Sequence, residues 1–165
     1  MKNIFILLVF VITLQIQAQK TFEVYNFSNQ TINLGDIITR SGTALPEYHS
    51  KPFGLITIPP GGSYILENTS QVFRFPFNSP NSSPFITKWD RNNANGTTTN
   101  NVPSNVAWVA GNSQVFFNLK YFDGNGVLRE IGVNQSFEPT PGFFVDSTTD
   151  QVSPNVWFYT IVFYN

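Results

Sequence analysis

The stretch Gln114 to Val133, QVFFNLKYFDGNGVLREIGV, limits what this chain can become more than any other. Apolar residues recur every second position along Val115, Phe117, Leu119 and Tyr121, the period of an extended strand rather than a helix. Asp123-Gly124-Asn125-Gly126 then interrupts the alternation with turn chemistry. A three-residue loop, with Gly126 left-handed at the end of a bulged type I turn, sets Asp123 against Val127. Leu119 then faces Ile131, Phe117 faces Val133 and Lys120 faces Glu130, so apolar meets apolar and plus meets minus. A two-residue Asn-Gly loop would instead place Leu119 against Gly132 and Tyr121 against Glu130. The first register is the better one. A partial likeness of the tip to a calcium loop is outweighed by its strand flanks and misplaced distal glutamate.

Elsewhere the same period dominates. Alternation marks strands at Lys20 to Phe27 and Thr31 to Arg40, with a change of phase at Gly35-Asp36 that predicts a bulge or a corner. Shorter strands are expected at Phe53 to Ile58, Ser63 to Glu67, Gln71 to Phe75, Phe85 to Trp89, Ala107 to Val109 and Phe143 to Val145. Residues 41–52, 90–105, 134–142 and 146–154 read as loops, the 90–105 segment being long and polar enough to be either functional or disordered. The closing run Val156 to Tyr164, VWFYTIVFY, is apolar on both faces and belongs in the middle of a sheet, beside the Gln114 to Val133 hairpin. No helical period persists beyond the first 18 residues. The expected fold is therefore all-β, an antiparallel two-sheet β-sandwich or jelly-roll-like domain of roughly nine to eleven short strands.

Met1 to Ala18 has Lys2, an apolar run from Ile4 to Leu14 and a polar exit, the pattern of a secretory signal peptide. That run is shorter than the roughly 20 residues that cross a bilayer as a helix. Residues 19–165 are then a single domain with no integral membrane span. The absence of cysteine excludes a disulfide framework and a thiolate metal site. Export without disulfides points to a secreted, periplasmic or cell-envelope protein. A net charge of −1 lacks the basic stripe that phosphate backbones demand, so nucleic acid is not an expected partner.

Catalytic chemistry finds little to work with. His49 is the only histidine, no nucleophile elbow surrounds any serine, and no cofactor motif or metal-ligand spacing occurs. His49 reads as an ordinary surface side chain and the chain as a non-enzyme. Charged residues make up 12% of the chain and aromatics 16%, so the surface is solvated mainly by amides and hydroxyls. Trp89 and Trp108 bracket the 90–105 segment, with Lys88, Asp90 and Arg91 beside the first. A tryptophan among charged and amide groups can stack on a sugar ring while its neighbours hydrogen-bond the hydroxyls. The alternative places both tryptophans in the core. The ligand-binding residues expected are Trp89, Arg91, Trp108, Lys88 and Asp90, on a binding module for a neutral glycan or another extracytoplasmic protein. Its rivals are an assembly subunit that pairs through strand edges and a small outer-membrane β-barrel.

Overall fold

The computed structural model describes residues 19–42, 44–68, 74–77, 79, 82–154 and 156–165. The segment expected to be a signal peptide, and residues 71–73 of the expected 71–75 strand, lie outside the described residues. Twelve strands carry the fold among those described: β1 (Gln19–Asn26), β2 (Ile32–Ser41), β3 (Ala44–Lys51), β4 (Ile56–Ile58), β5 (Ser63–Asn68), β6 (Lys88–Asn92), β7 (Thr98–Pro103), β8 (Gln114–Phe122), β9 (Leu128–Gly132), β10 (Ser136–Thr140), β11 (Phe143–Ser153) and β12 (Val156–Tyr164). One sheet runs β10-β11-β12-β1-β5 and the other β7-β6-β3-β2-β8-β9, with β4 added to β2. Every pairing is antiparallel except β1 with β12. The two sheets form a sandwich-like all-β fold.

The core lies between the sheets and mixes aromatic with branched aliphatic side chains. Phe22 meets Phe116 at 4.7 Å between ring centroids, and Tyr121 meets Phe163 edge-on at 4.8 Å. The β8–β9 hairpin has the expected register, with Leu119 opposite Ile131 and Lys120 opposite Glu130. Its turn closes by Asp123 N–H donating to Val127 O (3.1 Å) and Gly126 N–H to Asp123 O (2.8 Å), with Gly126 at φ +73°. The phase change at Gly35 is a bulge against β8. Glycine there lets the tip of the Phe53 ring lie against the bulge, where a Cβ would stand 2.7 Å from it and move it aside.

Several expectations are corrected. A second bulge against Ile38 and Thr39 slips the phase of β8, so Phe116 is buried in the core and Phe117 only half-buried. Strand β12 is central, as its two apolar faces require, but its neighbours are β1 and β11. It meets the hairpin across the core rather than along an edge. Segment 41–52 contains β3, and 146–154 is the far half of the long strand β11, whose serine and threonine side chains hide its period. Strand β10 occupies 136–140 despite Pro139, which is tolerated because β10 is an edge. Residues 74–77 form a turn that sends Phe75 and Phe77 into the core. The expected strand at 85–89 begins only at Lys88, and 107–109 is helical rather than extended.

Candidate binding site around Trp108

The polar 90–105 segment is not a loop but a β-hairpin. Strand β7 pairs with β6, and the tip closes through Asn93 N–H donating to Thr97 O (2.9 Å) and Gly96 N–H to Asn93 O (3.0 Å). Its asparagines and threonines lie on a sheet edge in water, so their polarity records exposure, not disorder.

Strand alternation divides the five expected ligand residues. Trp89 is fully buried, with Phe77 edge-on at 5.2 Å, so it cannot stack on a ligand. Its indole Nε1–H donates to Ser104 Oγ (3.0 Å), which in turn donates to Ile86 O (2.7 Å). Trp89 thus anchors the segment that follows β7 from beneath. Arg91 is exposed, with its guanidinium 5.9 Å from the Tyr48 ring centroid. Lys88 and Asp90 lie at the alternate positions of the strand. Asp90 pairs with Lys51 (3.0 Å) and accepts the Asn101 amide (2.8 Å). Burial pushes the Asp90 carboxyl up, but the Asn101 amide and the Lys51 ammonium offset this and hold it below its ordinary range. Lys88 is exposed, and Asp90 is held by structural bonds.

Trp108 stands differently. After Pro103 the chain makes one helical turn, Ser104–Ala107, and continues as a 3-10 turn, Trp108–Ala110. Proline suits the entry because its missing N–H would have no partner within the turn. The half-buried Trp108 ring carries the Arg74 guanidinium over one face, 3.7 Å from the centroid. Beside it a hollow of about 270 Å³ is lined by Phe77, Phe85, Thr87, Ser104, Asn105 and Trp108. A second hollow of about 360 Å³ on the same turn includes Tyr48, Arg91, Thr99 and Val106. Val106 and Val109 are 57% and 82% exposed at the turn, and Phe85 is 40% exposed. Trp108 and Arg91 therefore line separate hollows on either side of the turn that Trp89 anchors. Arg74, Phe85, Asn105, Val106 and Val109 escaped sequence reasoning, since neither alternation nor spacing marks a single turn of helix.

His49 is also not where the sequence suggested. It lies on β3, half-buried, with Nδ1 2.7 Å from Asp36 Oδ2 and Nε2 2.7 Å from Glu47 Oε1. Asn92 Nδ2 stands 3.0 Å from the same Nε2, and Arg40 Nε donates to Glu47. Burial lowers the imidazole's proton affinity, but the two carboxylates overcome this and raise its pKa. Both ring nitrogens therefore face carboxylates, an arrangement that favours the protonated ring. Ser50 Oγ accepts the Ile37 amide (2.8 Å) and donates to Asp36 Oδ1 (3.4 Å). Among the described residues, no group of three or more His, Asp or Glu side chains is arranged to hold a metal ion.

Around Trp108 the structure gathers an aromatic ring, the Arg74 guanidinium, the hydroxyls of Thr87 and Ser104 and the Asn105 amide beside a shallow hollow. Comparison with protein-family models and with curated proteins returns no match.

Proposed function

We propose that this chain is an exported, non-enzymatic binding module whose Trp108 hollow takes a neutral glycan. The observation that carries this reading is the half-exposed Trp108 ring, stiffened from one side by Arg74, beside Thr87, Ser104 and Asn105. A sugar ring offers one apolar face to stack on and a rim of hydroxyls for such groups to bind. The low charge of the chain accords with an uncharged ligand. A protein partner is the second reading, favoured by the exposed Val106 and Val109 at the same turn.

A glycan array on the full chain, followed by calorimetric titration of the best oligosaccharide, tests this. Trp108→Ala should weaken binding about tenfold or more, with a smaller loss for Asn105→Ala. An array without a bound glycan, or unchanged affinity in both variants, removes the glycan reading. In that case, retention of an extracellular protein by the wild type but not by Val109→Asp supports the second.

A further inference from the structure

A third hollow lies elsewhere in the fold. It has a volume of about 410 Å³ and opens between the sheets, with Val115, Phe116, Phe117 and Val133 from one side and Thr149, Trp157 and Tyr159 from the other. It shares no lining residue with the hollows at Trp108. The Trp157 and Tyr159 rings lie nearly parallel, at 13° with centroids 6.4 Å apart, and give one wall a flat aromatic surface.

The chemistry of β11 sets this hollow apart. Its inward positions begin apolar, with Phe143 and Val145, and then change to Ser147 and Thr149, set against Ile161 and Tyr159 of β12. The hydroxyls of Ser147, Thr149, Ser153 and Tyr159 are buried and make no hydrogen bond. That of Tyr159 lies by the Phe116 backbone, short of bonding geometry. A buried hydroxyl without a partner loses its hydration with nothing in return, and valine or isoleucine at these sites would fill the sheet interior without that cost. Four such groups along one pair of adjacent strands, two of them lining a hollow, are a concentration that packing does not require. Partners supplied by a ligand account for it.

We infer that this crevice is a binding site for a small uncharged molecule, a planar or fused ring that carries a hydroxyl or carbonyl group. No ionisable side chain other than the Tyr159 phenol lines the hollow, and burial raises the pKa of that phenol, so the wall carries no charge at neutral pH. The parallel rings select a flat apolar body, and the hydroxyls of Thr149 and Tyr159 select its polar substituent. The volume lies within the range of ordinary small-molecule sites, about 300–1,000 Å³.

The test titrates the full chain with the neutral fluorophore N-phenyl-1-naphthylamine and displaces it with 2-naphthol or with 2-methylnaphthalene, which has the same shape but no hydroxyl. Saturable binding is expected, with 2-naphthol displacing at a concentration at least threefold lower than its hydrocarbon counterpart. Val133→Phe, which fills the mouth, should weaken all three at least tenfold. Thr149→Val, which keeps the shape, should abolish the preference for 2-naphthol, and Trp108→Ala should change nothing. Absence of saturable binding, wild-type affinity in Val133→Phe, or a preference that survives Thr149→Val would overturn the proposal. If Val133→Phe does not fold, the near-isosteric Thr149→Val decides by itself.

Discussion

His49 shows how far a single residue's meaning depends on what the fold brings to it. In sequence it is a lone histidine in EYHSKP, and in the structure it joins β2, β3 and β6 through Asp36, Glu47 and Asn92. Its pKa is raised in the folded state, so its stabilising contribution is complete below the unfolded value near 6.5. That contribution is lost as pH rises through the folded value. Glu47 works in the opposite sense. Burial pushes its carboxyl up, but Arg40 and His49 bring it below 4.5, so its contribution is lost as pH falls through the folded value. Urea unfolding followed from pH 5 to 9 should show the His49 decline in the wild type, and His49→Gln should flatten it. An equal decline in that variant would show that the network does not hold the imidazolium.

Lys20 makes the complementary case. It is buried, with Nζ donating to Asn112 O (2.9 Å) and Gln114 O (2.6 Å), and burial pushes its pKa down to about 8. The unfolded chain then holds more protons than the folded one above pH 8, so stability should rise with pH from there. Its own contribution is on the order of 1.5 kcal/mol by pH 9.5, against an opposing loss as the unfolded tyrosines begin to ionise. Unfolding free energies at pH 7.5 and 9.5 for wild type and Lys20→Met check it, because the rise should vanish in the variant.

At the scale of elements, the β8–β9 hairpin was the most legible part of the chain. Turn chemistry and cross-strand charge and apolar pairing all lie within 20 residues, so local rules suffice to set its register. Asp123 contributes more than the turn rule asks. It is nearly buried, and its carboxylate accepts the amides of Asn125 and Val127, at 3.0 Å each, and Arg129 Nε at 3.0 Å. Asp123→Ala should destabilise by about 2–3 kcal/mol, since it leaves these donors without their acceptor. Gly126→Ala, at φ +73°, should cost about 1 kcal/mol. Denaturant midpoints that place Gly126→Ala above Asp123→Ala in cost would contradict this account.

Other elements were illegible for stated reasons. Strands β7 and β11 are rich in threonine, serine and asparagine, whose side chains suit an edge or a hydroxyl-bearing interior and suppress the apolar alternation that announces a strand. The slip at Phe117 is a bulge in β8 itself, where Ile38 and Thr39 of β2 face Asn118 and Phe116, and no glycine or break in the alternation of β8 announces it.

At the scale of the whole molecule, β1 and β12 pair in parallel at the centre of one sheet and bring the two ends of the described chain together. Strand β12 holds a large share of the core, because its Tyr159, Ile161 and Phe163 are all buried. Removal of residues 156–165 should therefore abolish cooperative unfolding, while replacing residues 93–97 with a two-residue Asn-Gly turn should leave the melting temperature within a few degrees. Calorimetry separates these outcomes, and a cooperative transition in the first variant would show that the other sheet folds without its counterpart.

By itself the sequence determined that the chain is built of strands, that the hairpin at residues 114–133 has one register, and that the last strand is central. These depend on periods of two and on turn residues, which act over short distances in the chain. Only the tertiary structure decided that Trp89 is buried while Trp108 is half-exposed, that His49 lies between two carboxylates, and that hydroxyls without partners gather beside Trp157. Each of these depends on which segments distant in sequence become neighbours in a sheet or across the core, and a residue's chemical environment is set by those neighbours rather than by its own type.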